Sequence, residues 1–198
     1  MRLRLVIAAV CALPSLGLAQ EPRLRARLDP ATATRVERLV DSAKVVGLPT
    51  EPLIQKALEG QTKGATADRI VGAVGSLLDG LGKARQGLGP SGSAQELEAG
   101  VLWIRAGGGV ESLERLRKAA PDRQLAVPIA VSADLLAKGW PPIEATAALE
   151  TLFAANVSDA GFLAFRNQVD SAIRNGAKLE PTVRAEVARL TTSRTSRP

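Results

Sequence analysis

The chain has 198 residues with 26 basic and 20 acidic side chains, a net charge of +6, and neither histidine nor tyrosine. Its single cysteine is Cys11, and three Phe and two Trp are its only aromatic residues. Without histidine, Ser-His-Asp and Cys-His nucleophilic catalysis are excluded, and sugars or bases have almost no aromatic platform to stack on. Carboxylate, Ser/Lys or backbone chemistry survives.

The first residues, MRLRLVIAAVCALPSLGLA, place Arg2 and Arg4 before an apolar run from Leu5 to Leu13, then Pro14 and the small-residue end Gly17-Leu18-Ala19. That order is the charged, apolar and cleavage region of a secretory signal peptide, residues 1–19, with cleavage expected between Ala19 and Gln20. The run is well short of the roughly 20 residues that span a bilayer, so no transmembrane span is expected after cleavage. A lipid anchor at Cys11 fits less well, because Val10 stands where a small residue is wanted. Cleavage removes Cys11, leaving no thiol for a disulfide and no His or Cys for a zinc or copper site. It leaves 24 basic against 20 acidic residues on about 179, enough for one domain or two small ones. The charges are mixed along the chain rather than clustered, so no nucleic-acid partner is expected.

Residues 20–28, QEPRLRARL, read as a flexible, charged N-terminus. Asp29-Pro30 then opens a helix, with Asp as N-cap and Pro at the first helical position. Val36, Leu39, Val40, Ala43 and Val46 give it an apolar face, and Gly47 stops it. Further helices are expected from about Glu51 to Lys63 and from Ala67 to Ala84. The second of these carries Gly72, Gly75, Gly80 and Gly82, each costing about 1 kcal/mol against alanine, which points to close approach by a neighbouring helix or a frayed end. Residues 85–93, RQGLGPSGS, read as a linker. Ser93 and Glu96 form a capping box for a helix with Leu97, Val101 and Ile104 aligned. After Gly107 to Gly109 comes a short charged helix, ESLERLRKA, closed by Pro121. Helices at Pro128 to Lys138, Pro142 to Ala155, Asp159 to Asn175 and about Pro181 to Thr192 complete the chain, followed by a polar tail at 193–198 expected to be disordered. In the Asp159 helix, Arg166 sits in an apolar stripe with its tip reaching for solvent.

One local pattern recurs: Gly or Asn, then an apolar or small residue, then usually Pro, Ser or Thr. It occurs at Gly47-Leu48-Pro49, Gly64-Ala65-Thr66, Gly109-Val110-Glu111, Gly139-Trp140-Pro141, Asn156-Val157-Ser158 and, more loosely, Gly176-Ala177-Lys178. A shift of 92 residues superposes the pair at 47 and 64 on the pair at 139 and 156. The first residue takes the left-handed conformation that caps a helix, and the second packs back while stapling the next helix. Leu48 with Leu53, and Val157 with Phe162, fit that geometry.

No stretch shows sustained alternation of period two, so the expected fold is all-α. It is an irregular bundle or short array of antiparallel helices, about 8–9 of them, joined by tight Gly-containing corners, with solenoid-like stacking as the alternative. Residues 29–84 and 94–192 are expected to pack as one domain.

The chemical candidates are few. The glycine run before Glu111 is a possible phosphate cradle, though no strand precedes it and Glu111 and Glu114 oppose an anion there. Glu96 with Glu98, or Glu111 with Glu114, could be acid/base pairs, but carboxylates near a helix start ordinarily serve the helix dipole. Arg115, Arg117 and Lys118 form the densest basic group, and Trp103 and Trp140 are the residues able to anchor a partner. No catalytic, cofactor or metal residue is assigned. The expectation is an exported, non-catalytic interaction or scaffold protein of the bacterial cell envelope, whose partner is an envelope protein or an anionic surface. A basic membrane- or wall-surface binder and a carboxylate-based hydrolase are the alternatives.

Overall fold

The computed structural model describes residues 21–192; the expected signal peptide and the polar tail lie outside them. Among the described residues there are ten helices and no strand. They are α1 (Pro22–Arg27), α2 (Pro30–Val45), α3 (Glu51–Thr62), α4 (Ala67–Leu88), α5 (Ala94–Arg105), α6 (Val110–Ala119), α7 (Ala126–Ala137), α8 (Pro142–Ala154), α9 (Asp159–Arg174) and α10 (Leu179–Thr192).

Local chemistry sets most of these boundaries. The Asp29 carboxylate accepts the Ala31 and Thr32 amides at 3.1 and 3.0 Å, closing the start of α2. Ser93 and Glu96 form the expected capping box on α5, and Ser158 Oγ accepts the Gly161 amide at 3.2 Å on α9. α7 and α10 begin two residues before the prolines expected to open them. Pro128 and Pro181 sit in the first turn, where a missing N–H breaks no helical bond.

The corner is one hydrogen-bond motif used six times. Gly47, Gly64, Gly107, Gly139 and Gly176 have φ between 66° and 102°, and Asn156 has φ 51°. At each, the next amide reaches back five residues: Leu48 to Ala43, Ala65 to Gly60, Gly108 to Trp103, Trp140 to Leu135, Val157 to Leu152 and Ala177 to Ala172, all at 2.9–3.0 Å. This double cap satisfies carbonyls that the helix end leaves open. The third corner is displaced from expectation: Gly107 is the left-handed residue, and Gly109 is the N-cap of α6.

Two segments expected to be loose are structured. Leu24 and Leu28 are buried one helical turn apart, seating α1 on α2 and α3. Arg23 is forked to Glu51 at 2.9 and 2.7 Å, and Arg25 is forked to Glu37. A short stretch too charged to signal a helix is therefore held by two leucines and two ion pairs. The expected linker is likewise mostly helix. α4 runs on to Leu88, which is buried, and a Cβ on Gly87 would lie 2.7 Å from Leu113 Cβ. Close packing on α6 explains that glycine; only residues 89–93 form the connection.

Every substantial helix contact joins neighbours one or two apart in the chain. The even helices form a continuous row, α2–α4–α6–α8–α10, while the odd helices form α1–α3 and α5–α7–α9 with a break between α3 and α5. This compact array has the short-range contact order of the stacked alternative. One apolar core runs through it, from Leu24 on α1 to Val183 on α10.

Candidate interaction surface

The structure withdraws both tryptophans from the surface. Trp103 is completely buried and its Nε1 donates to the Gly109 carbonyl at 3.3 Å. A Cβ on Gly108 would fall 2.1 Å from that nitrogen. Part of the glycine run therefore serves the indole rather than a phosphate or a flexible joint. Trp140 is 3% exposed and fills the α7–α8 corner, its indole N–H without a hydrogen-bond partner. Neither ring is available to a partner in this fold.

The basic group is neutralised by carboxylates from its own fold. Arg115 forks onto Glu150 of α8 at 3.1 and 2.8 Å, and Lys118 pairs with Glu114 one turn back at 2.7 Å. Arg117 turns inward to Glu96 and also donates to the carbonyls of Pro121 and Arg123 at 3.2 and 3.0 Å. As a solvent-facing patch the trio is reduced to two paired side chains.

Glu96 is the buried polar centre of the molecule. Its carboxylate accepts the Ser93 and Leu125 amides, both at 2.8 Å, and the Arg117 guanidinium. Its side chain is 4% exposed and that of Arg117 17%. Burial pushes its pKa upward, but the two amides and the guanidinium outweigh burial, and the carboxyl is held below its ordinary value. One side chain thus ties the start of α5, the end of α6 and the start of α7. Glu98, two residues on, faces outward and does not converge with it. Glu111 and Glu114 are exposed on α6, and Glu111 Oε2 lies 2.9 Å from a Cβ built on Gly109, covering the helix start where an anion would sit. No group of three or more acidic, His or Cys side chains able to hold a metal occurs among the described residues.

What the sequence did not single out is the surface around α5. The break between α3 and α5 opens a groove of about 590 Å³, with Pro52, Leu77, Val101 and Leu102 along its apolar part. A second hollow of about 340 Å³ lies between α5 and α7, lined by Ala106, Ala130, Ala133 and Ala137. Leu102 and Arg105 border both. Glu51 is forked to Arg23 and bonded to Gln55, which lower its pKa to about 2. Glu59 is paired with Lys56 and Lys63, which likewise hold it to about 2. By contrast the side chains of Glu98 and Arg105 make no hydrogen bond or ion pair with any described residue. Leu102, 51% exposed, stands between them on the same stripe of α5. A leucine between charges at 98, 102 and 105 was readable; the missing helix contact that leaves it exposed was not.

On the other side of α7, Lys138 bridges Asp134 and Asp170 at 2.7 and 2.6 Å, and Arg166 joins Asp134 at 3.0 Å. The Arg166 tip thus leaves its apolar stripe, as expected, for a cross-helix ion network. No described helix is long and apolar enough to cross a membrane. No protein-family model, curated protein or solved structure matches this chain.

Proposed function

We infer that this is an exported, non-catalytic helical interaction or scaffold protein of the bacterial cell envelope. The export part rests on residues 1–19, whose charged, apolar and small-residue regions follow the order of a cleavable signal. The interaction part rests on one observation: the odd helix row is broken beside α5, leaving a groove whose apolar part is bordered by the half-exposed Leu102. Helical arrays use such open grooves between elements as contact surfaces.

Chemistry at this surface favours binding over catalysis. A carboxylate hydrolase needs a general acid whose pKa is raised towards neutrality. The shifts at Glu51 and Glu59 in the groove and at Asp134 beside the second hollow run downward, because cations or amide donors face these acids. Pairing of Arg115, Arg117 and Lys118 with carboxylates also weakens the case for a basic lipid- or wall-binding patch.

The test is photo-crosslinking in the native envelope, with the probe placed at Leu102 and, as a control, at exposed Gln168 on α9. Capture of one specific protein from position 102 alone supports the reading. Equal labelling from both positions, or salt-sensitive sedimentation with anionic vesicles in place of protein capture, overturns it.

A further inference from the structure

We propose that α5 is a self-association ridge: two copies of this chain meet across a two-fold axis through their α5 helices. α5 is largely buried between α4 and α7, and Ala94, Gln95, Glu98, Leu102 and Arg105 are its exposed residues. Within that stripe the pattern is acid, leucine, base. Glu98 and Arg105 are seven residues apart, about 10.5 Å along the axis. They project within about 20° of each other, since seven residues are nearly two full turns.

A two-fold axis crossing α5 between residues 101 and 102 pairs the helix with its own reversed copy. Glu98 of one copy then faces Arg105 of the other, twice, and the two Leu102 side chains meet beside the axis. An isologous contact requires such self-complementarity. The charge complementarity holds at this stripe because the side chains of Glu98 and Arg105 have no hydrogen-bond or ion-pair partner among the described residues. The other charges along the α3 wall, Glu51, Lys56 and Glu59, are already paired. The contact also has room: the groove of about 590 Å³ beside Leu102 can receive the leucine of the second copy. Ridge seated in groove is the ordinary way helices pack. Arg105, which borders both hollows, stays free to swing toward the incoming carboxylate.

This deepens the interaction reading by naming one partner, and it rests on that reading's groove. Sedimentation equilibrium of the signal-less chain, residues 20–198, at about 100 µM reads it directly, because a micromolar dimer is mostly formed there. The expected mass is twice that of the chain. Glu98→Arg and Arg105→Glu each place like charges across the axis and are expected to be monomeric. Mixed one to one, the two variants regain complementary pairs and the doubled mass returns. Leu102→Asp is expected to lose the dimer with no rescue. All three positions are exposed, and unchanged far-UV circular dichroism checks the fold. A monomeric parent chain, single reversals that keep the doubled mass, or a mixture that stays monomeric overturns the proposal. Such a result leaves capture of a different envelope protein at Leu102 as a separate outcome.

Discussion

Replacing Glu96 by alanine is expected to be among the most damaging polar substitutions in this molecule, and more damaging than removing its partner Arg117. The carboxylate meets three donors in a nearly dry site: the Ser93 and Leu125 amides at 2.8 Å and the Arg117 guanidinium. Its loss leaves the Leu125 amide without an acceptor at a completely buried residue, and a guanidinium only 17% exposed without its counter-ion. Removing one member of a buried pair costs about 3–5 kcal/mol. The low end, about 3 kcal/mol, applies here because Arg117 keeps two carbonyl acceptors and some contact with water. Arg117→Met leaves the carboxylate its two amide donors, so about 1–2 kcal/mol is expected. Urea unfolding at pH 7, followed by circular dichroism at 222 nm, measures both. A cost below about 1 kcal/mol for Glu96→Ala, or a larger cost for Arg117→Met, refutes the reasoning.

The pH dependence follows from the same groups. Glu96 has a folded pKa below its unfolded value, so its contribution is complete above the ordinary carboxyl value of 4.5 and is lost as pH falls through the folded value. Glu51 and Glu59, held to about 2, extend that acid loss downward. Stability is expected to fall below about pH 4.5, less steeply in Glu96→Gln, and to stay flat from pH 6 to 8 because the chain has no histidine; urea midpoints across that range test it. The glycines of α4 divide by environment. A Cβ at Gly72 or Gly82 meets nothing within 4 Å, so alanine there is expected to stabilise by up to about 1 kcal/mol. Alanine at Gly87 collides with Leu113 and the Val110 carbonyl and is expected to cost about 1–3 kcal/mol. At the corners, Gly139→Ala is expected to cost about 1–2 kcal/mol from its left-handed backbone alone, while Asn156→Gly is neutral or better, both read from thermal unfolding. Both indoles are buried, so emission is expected to be blue-shifted and insensitive to iodide until the chain unfolds.

Some of this architecture was written locally. Asp29, Ser93, Ser158 and the Gly or Asn corners act over four or five residues through hydrogen bonds to their own backbone. A sequence displays such signals directly, so α2 to α10, the caps at Asp29, Ser93 and Ser158 and five of the six corners could be read without coordinates. The all-helical class follows from the same period and needs no tertiary information.

The rest depended on which helices meet. Residues 22–27 look too charged for a helix until α3 presents Glu51 to Arg23 and the core accepts Leu24. Gly87 looks like a linker residue until α6 arrives against it, and Gly108 like a hinge until the Trp103 indole occupies its missing side chain. Trp103, Trp140 and the Arg115 to Lys118 cluster looked like contacts because an unplaced aromatic or cation has no visible partner in one dimension. Folding supplied carbonyls, carboxylates and core for all of them, leaving only the Trp140 indole N–H and Arg117 Nε without a hydrogen-bond partner among their buried polar atoms. It left Glu98, Leu102 and Arg105 uncovered instead, since exposure is a property of the gap between α3 and α5. Local hydrogen bonding and hydrophobic period determined the helices and their corners. Only long-range packing decided which side chains remained free to meet another molecule.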